Sequence, residues 1–522
     1  MHSLVWRWLG PRALSAAASL TLLACSGVSV PQTWPSPREL CRTTVQPNVS
    51  FGPEQVVGDG TPASCTATAL EDAVRRGGNI RFSCGSEPLF IALGRELTVD
   101  RDTRIDGGQL IALTTGLRSR VIHLMGQGGA AVTLALAGLT FVGAAGDGVD
   151  GAMPAGSSGG AVLQEGGRLF IDDCVFLGNR SAPKDASVSG GAIFNRGGEL
   201  VIRESNFISQ LSTNGGAIGV RDGSLRMENT WLVSNVVQGV GGVPGDGGVG
   251  GGIDMRGSGR LVLCESTLWD NYSQSFGGAL YRQGTGDDLT AIYGVSFQGN
   301  YILPEHTVQS LGGALFLQGT HAVIEATTFY GNAADAGGAA YFGPSTQTLL
   351  LNSTFSQNAA ERGGGGAVLF EARVRPLPSA EIASCTFAVN QVTSDTGAGG
   401  AIAGGGPLIR LRNNLFVANR SRTELNGQTC SHPMESVGPN LQNDAEWSDG
   451  SSDATRAPCA RGITFGDTQL MQIDFFGGPT RTHYLTADNL AVGLGRDCPA
   501  TDQRGQTRPM QGCTVGAFEV EH

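Results

Sequence analysis

The sequence predicts an all-β fold: a right-handed parallel β-helix of about ten or more rungs, closed by an N-terminal helix and a disulfide-containing C-terminal cap. The first observation behind this is a repeat. Gly-Gly, usually followed by Ala and an aliphatic residue, opens each copy, and Phe-x-x-Asn closes it. The openings fall at Gly159, Gly190, Gly215, Gly250, Gly277, Gly312, Gly337, Gly365 and Gly399. The closings include Phe176/Asn179, Phe207/Gln210, Leu232/Asn235, Leu268/Asn271 and Phe297/Asn300, and the last is Phe416/Asn419. The second observation lies inside the copies. Five residues before the closing Phe stands an aliphatic (Ile171, Ile202, Met227, Leu263, Ile292), and often another stands seven before it (Leu169, Leu200, Leu225, Leu261). That period of two marks a short strand with one buried face, and no helical periodicity competes with it. The third is 80 glycines in 522 residues, which suit a chain that must turn sharply several times per rung. A propeller blade needs about 40 residues or more, longer than the shorter copies here.

The elements follow in order. Arg7 and Arg12 precede an apolar stretch, Ala13 to Ala24, so residues 1–24 read as a secretory leader. Leu22-Leu23-Ala24-Cys25 resembles a bacterial lipobox. The resemblance implies cleavage before Cys25, acylation of Cys25 and a membrane partner reached through lipid. Ser26 in place of Asp implies the outer membrane or cell surface. Residues 25–60, polar and proline-rich, read as a flexible tether. Residues 61–420 form the coil with its lid. Thr66 to Arg76 is the lid helix, with Leu70, Ala73 and Val74 on one face, Thr68 and Glu71 spaced as a capping box, and Gly77-Gly78 as its stop. Residues 421–522 lose the repeat, gain cysteines and should cover the other end. Insertions fall between the closing Asn and the next Gly-Gly, so the loops 180–189, 236–249 and 301–311 should form a rim at one corner, where binding surfaces collect.

Eleven cysteines leave ten once Cys25 is set aside. Cys65/Cys84, Cys430/Cys459 and Cys498/Cys513 are close in sequence and outside the repeats, as disulfides of an exported protein would be. Cys174 and Cys385 share one repeat position and read as buried thiols; Cys41 and Cys264 have no evident partner. No Cys/His spacing suits zinc. The formal charge of −11 argues against a nucleic-acid partner.

Three resemblances support the architecture. Gly58-Asp-Gly-Thr-Pro-Ala-Ser-Cys65, Phe82-Ser-Cys84 and Ile105-Asp-Gly-Gly108 resemble the start of bacterial β-helix repeat proteins of the pectin-lyase-like type. Gly477-Gly-Pro-Thr480, Thr482-His483, Cys498-Pro-Ala-Thr-Asp-Gln-Arg-Gly505, Arg508-Pro509 and Gly516-Ala-Phe-Glu519 resemble the choice-of-anchor Q domain, which in its family ends a β-helix. The repeat itself is similar to that of chlamydial polymorphic outer-membrane proteins, which are adhesin-like. These resemblances bear on architecture; the lipobox, the uniform rungs and the lack of convergent polar chemistry point to a non-enzymatic surface scaffold with a glycan or protein partner.

Alignment on the closing Phe also assembles candidate chemistry. Asp172, Asp173, Arg203, Glu204 and Glu228 fall on three consecutive outer rungs. Paired carboxylates there could act as acid and base, and the alternative function is a polysaccharide lyase or glycoside hydrolase working from this face. Asp172, Asp173 and Glu204 are also the candidate calcium ligands, the one cofactor weighed. The competing reading is a solvated ladder of charges. Asp254 interrupts a column of aromatics and should face outward, paired with a nearby Arg. An outer column six residues before the Phe (Phe170, Val201, Val262, Ala291) is apolar except for Arg226, which suits either a contact strip for a partner or glycan or cover by the chain's own loops or tail.

Overall fold

The computed structural model describes residues 35–126, 131–146, 158–181, 185–240, 243, 246–303, 309–422, 427–444, 446 and 449–521. Cys25 and the leader lie outside the described residues, as do parts of all three rim loops.

The central chain is a parallel β-solenoid of about twelve turns. One turn shows the plan: strand Glu199–Arg203, strand Asn206–Ile208, strand Leu211–Ser212, a Gly-Gly corner, then strand Ile218–Arg221. Each strand pairs in parallel with its counterpart one turn on, with Leu200 beside Leu225, Phe207 beside Leu232, Leu211 beside Val236 and Ile218 beside Ile253. The first two strands of the turn belong to a 26-stranded sheet, the third to an 8-stranded sheet and the fourth to an 11-stranded sheet. These are called here the first, second and third walls, and they enclose one core.

Left-handed backbone turns the corners. Glu204 (φ 48°) separates the two strands of the first wall, and Ser209 (φ 56°) leads into the second. A non-glycine residue in this region costs about 1–2 kcal/mol, so the ladder must hold it there. The Gly-Gly corner is tighter. Gly215 has φ 50°, and a Cβ on Gly216 would lie 2.1 Å from the Gly251 carbonyl oxygen of the next turn. Only glycine fits that approach.

Inside, like stacks on like. Phe141, Phe176 and Phe207 stack at 4.7 and 4.5 Å between ring centroids. After Leu232 and Leu268 the stack resumes from Phe297 to Phe416, at 4.9, 4.5, 4.9 and 5.1 Å. The asparagines form a buried amide ladder. Asn271 Nδ2 donates to Asn300 Oδ1 at 3.0 Å and to the Leu232 carbonyl at 2.9 Å, while its backbone N–H donates to the same Asn300 oxygen at 3.0 Å. The pattern repeats through Asn332, Asn358, Asn390 and Asn419. Both amide protons are thereby satisfied, as burial demands. A second ladder escaped the sequence reading: hydroxyls at the first corner accept the backbone N–H of the preceding turn, as from Cys174 to Ser205 Oγ (3.0 Å) and from Thr230 to Ser266 Oγ (3.1 Å).

Helix α2, Ala67–Arg76, packs Leu70, Ala73 and Val74 on the N-terminal end of the coil and stops at Gly77. Its cap is Thr66, whose hydroxyl accepts from Ala69 N at 3.2 Å, not the Thr68/Glu71 box. Glu71 instead accepts from Arg95 at 2.6 Å, because a cap two residues earlier than Thr68 moves it past the first turn.

The two ends of the chain differ from expectation. From residue 35 the presumed tether lies against the first wall. Helix α1, Pro37–Arg42, sits over strands Leu261–Cys264 and Leu289–Tyr293. Leu40 and Cys41 cover Val262 and Ala291, and Val45 and Phe51 cover Ala135, Phe170 and Val201. This is the apolar outer column, and Arg226 within it donates to the Leu40 and Thr43 carbonyls at 2.9 and 2.7 Å. Cys41 is bonded to Cys264, a pairing hidden by its separation of 223 residues. Cys65–Cys84, Cys430–Cys459 and Cys498–Cys513 are also bonded, and Cys174 and Cys385 are buried thiols. At the other end, Glu435–Ser436, Leu441–Gln442 and Thr464–Phe465 continue the stack. The last 55 or so residues then leave the stack. They run back along the first wall, where Thr482 meets Thr354 at 3.0 Å, Asn352 donates to the Thr501 carbonyl at 2.8 Å, and Arg38 of the N-terminal arm reaches Thr501 Oγ1 at 3.2 Å. The outer hydroxyls of these rungs are their partners, so the tail follows the wall.

Phe329→Ala should lower stability by about 3–5 kcal/mol in urea unfolding, since its ring fills a gap between Phe297 and Phe355. Leu177→Ala, on the outer face, should cost less than about 0.5 kcal/mol. Removing the Cys41–Cys264 bond by paired alanines should open the arm to trypsin at Arg38 or Arg42 while the coil still unfolds as one cooperative unit. Simultaneous collapse of both would show that the arm is part of the core rather than its cover.

Candidate functional site

The five residues of the proposed acid face are brought near one another but do not converge. Asp172 and Arg203 are in register on adjacent strands, with Arg203 Nη2 3.4 Å from Asp172 Oδ2. Asp173 and Glu204 are not on a strand face at all. They occupy the left-handed corner, φ 50° and 48°, and point away from the strand carboxylates. The Asp173 carboxylate takes the amide of Gln109, and Glu228 pairs with Arg226, whose other guanidinium nitrogen holds the N-terminal arm. Asp172, Asp173 and Glu228 therefore each have their own partner, and Glu204 is exposed. Among the described residues no group of three or more His, Cys, Asp or Glu side chains is placed to hold a metal ion. Further along the same column Glu325 is covered by the arm, and burial raises its carboxyl above the ordinary range while Arg38 pulls it down.

Asp254 is on the outer side of the third wall, in register between Gly219 and Tyr281. It faces away from the coil axis yet is wholly buried, because loop residues fold over this wall. Its carboxylate accepts from Arg221 Nη2 at 2.6 Å, Arg256 Nε at 2.9 Å and Ser189 Oγ at 3.1 Å. Burial acts on it first, upward; Arg221 and Arg256 together outweigh that and hold it below the usual carboxylate value. Its Arg partners come from neighbouring strands of the same wall, and only Ser189 comes from a loop. Tyr281, Phe316 and Tyr341 continue the column and stack at 4.8 Å each.

Beyond that stack the third wall opens into a cleft of about 650 Å³, which the sequence reading missed. Tyr341, Leu369, Glu371, Arg373 and His432 line it, and Gln309 and Leu311, at the described end of the third rim loop, form one side. Such a volume is of ligand-binding size. Glu371 Oε1 accepts from Arg373 N at 2.6 Å and Val374 N at 3.3 Å, and Oε2 accepts from the Tyr341 hydroxyl at 2.9 Å. Burial pushes the Glu371 carboxyl up, but these hydrogen bonds prevail and hold it below its ordinary value. Burial, then Glu371, pushes the Tyr341 phenol up, so it stays a donor. Burial also lowers His432, which leaves a neutral imidazole at pH 7, its Nδ1 2.9 Å from Ser431 Oγ. The cleft thus offers one oriented carboxylate and an uncharged ring beside apolar surface, a set suited to holding a polar ligand. Glu371 and His432 lie in irregular segments past the strand ends, where a repeat alignment has no column to place them.

The fold defines the class, a parallel β-solenoid. No known family model matches the chain, and no curated protein matches it either. The likeness of the tail to the choice-of-anchor Q domain, and of the repeats to polymorphic outer-membrane proteins, gains no support from these comparisons.

Asp254→Asn should cost about 3–5 kcal/mol, because it leaves two guanidiniums facing a neutral amide in a buried place. The depressed folded value sets the sign. The wild-type advantage should be full above about pH 4 and shrink as pH falls through the lowered value, which paired urea titrations from pH 7 to pH 2 would resolve.

Proposed function

We propose that this protein is a lipid-anchored, non-enzymatic scaffold of the cell surface or outer membrane: a stiff rod used for adhesion or envelope architecture. The observation that carries the reading is how the rod is finished. The arm from residue 35 and the tail to residue 521 are laid along one wall, and among the described residues four disulfides staple the molecule. Disulfides of this number belong to an oxidising compartment. The lipobox-like Leu22-Leu23-Ala24-Cys25 supplies the anchor. Only about ten residues would separate an acylated Cys25 from the docked arm, so the rod would stand within about 35 Å of the lipid surface. The likeness of the tail to a choice-of-anchor Q domain, and of the repeats to adhesin-like outer-membrane proteins, agrees with that placement.

The second reading, a polysaccharide lyase or glycosidase, loses its motive on the acid face. A lyase needs a base poised beside the acids, and the guanidinium of Arg203 is engaged by Asp172. The cleft at Glu371 is the place where this reading would survive.

Two measurements test the proposal. Wild-type protein should partition into detergent with membranes, whereas Cys25→Ser should be released or remain unprocessed; equal partitioning removes the anchor. A panel of acidic and neutral polysaccharides, with and without calcium, should yield neither unsaturated products nor new reducing ends. Turnover abolished by Asp173→Ala, Arg203→Ala or Glu371→Gln would establish the second reading instead.

A further inference from the structure

The short second strand of each turn in the first wall carries two outward columns, one on either side of the closing Phe. In the C-terminal turns the tail covers them. Hydroxyls there meet the tail, Thr354 Oγ1 to Thr482 Oγ1 at 3.0 Å and to Gln503 Oε1 at 2.6 Å, and Ser356 Oγ to His483 Nε2 at 3.0 Å, while Leu415 and Val417 pack on its apolar residues. Earlier on the wall, beyond the tail's reach, the same columns change to large rings. Trp231 and Trp269 stand on consecutive turns, 48% and 44% exposed. They are the two tryptophans among the described residues. The register sets Trp231 beside Thr267 and Val233 beside Trp269, so the two indoles are offset diagonally by about 8 Å. One bend further round, Tyr301 is 37% exposed and packs against Tyr272 with ring centroids 5.3 Å apart.

The surroundings limit what such a face can hold. The indole of Trp269 lies toward the bend of the next turn, where Gly299 (φ 60°) has no side chain; a Cβ there would come within 3.8 Å of the indole. The glycine leaves the ring room to lie along the wall. Asn206, Thr267, Ser296 and Gln298 in the two columns bring amides and hydroxyls beside the rings, and Val233 and Ile208 add an apolar strip. At the bend Ser234 Oγ donates to Asp270 Oδ2 at 3.2 Å. No Arg or Lys stands in either column from Val175 to Gln298.

We infer that this face is a stacking platform for a neutral polysaccharide. A sugar ring presents an apolar C–H face bordered by hydroxyls. An exposed indole matches the first, and flanking amides, hydroxyls and a carboxylate match the second. An anionic polymer or a membrane surface would call for basic residues, which these columns lack in a protein of charge −11. A protein partner would need roughly 800 Å² of complementary surface, more than a few rings set among polar groups provide. The stiffness of the coil keeps the rings in place before binding, which reduces the entropy lost on association. The inference rests on the surface-scaffold reading and names its partner class.

The test uses the full-length protein purified in detergent, run in native gels containing hydroxyethylcellulose, mixed-linkage β-glucan, glucomannan or soluble starch. Tryptophan fluorescence is titrated in parallel with the same polymers. At least one polymer should retard the wild type and perturb its fluorescence. The Trp231→Ala/Trp269→Ala pair should weaken that binding by about tenfold or more with the melting temperature unchanged, and Trp269→Tyr should keep part of it. Wild-type protein that ignores every neutral polymer overturns the platform, as does undiminished binding by the double variant. Binding instead to anionic vesicles or single-stranded DNA, lost in the double variant, would replace the partner class. The anchor is judged separately by fractionation: protein found in membranes that binds no polymer removes only the platform, and soluble protein that binds one removes only the anchor.

Discussion

Every turn must deliver its closing asparagine to the asparagine of the next turn, inside a core that excludes water. That buried amide ladder is the constraint on which the rest depends. Each Asn side chain donates to its successor and to a carbonyl of the preceding turn, and its oxygen accepts two N–H groups. A slip of one residue would leave these groups unpaired in the interior and turn each strand's aliphatic face outward. The ladder therefore sets the register, and the register places everything else: Phe over Phe, hydroxyl under backbone N–H, glycine at the corner where the next turn passes 2.1 Å from an absent Cβ. Gln210 keeps the ladder with one more methylene, its amide reaching the Phe176 and Ile208 carbonyls.

A register this strict makes the outer surface a set of columns, and the columns explain where chemistry can collect. Residues one turn apart are neighbours, so acids in register with arginines become ion pairs, as for Asp172 with Arg203. At Asp254 the same rule works in a buried place. One carboxylate between two guanidiniums stays ionised although burial opposes it. Rings in register become stacks, and rings left uncovered become a face for a ligand. The cleft at Glu371 and the tryptophan face share this origin, but one is a recess built by irregular loops and the other a flat wall built by strands.

The covering of the first wall has consequences for function. The N-terminal arm lies over the first strands of its turns from Ala135 to Glu325 and the C-terminal tail over the second strands of later turns, and Arg38 of one touches Thr501 of the other. The uncovered surface between them and the next bend is where Trp231 and Trp269 stand. A wall whose apolar column is hidden by its own chain, leaving aromatic rings in a polar setting, fits a rod that holds a partner without reacting with it.

By itself the amino-acid sequence determined the repeat, the strand faces, the stacking of Phe and Asn, the lid helix and three of the four disulfides. All of these depend on neighbours a short and regular distance away. Contacts between distant segments were decided only by the tertiary structure. Cys41 meets Cys264 because α1 crosses a strand 223 residues further on, and the tail lies beside the wall because its hydroxyl partners are aligned there and not at the coil's end. The candidate acid face shows a related limit of counting along the chain. Counting back from the Phe gives a column for Asp173 and Glu204 but not the backbone angle, and a left-handed corner turns those side chains away from their strand neighbours. The Glu371 cleft lies in segments with no period, so no counting could bring its residues together. Trp231 and Trp269 were legible, one residue before and one after the closing position. What made them a candidate site was that the tail stops short of them, and that is a property of the folded chain alone.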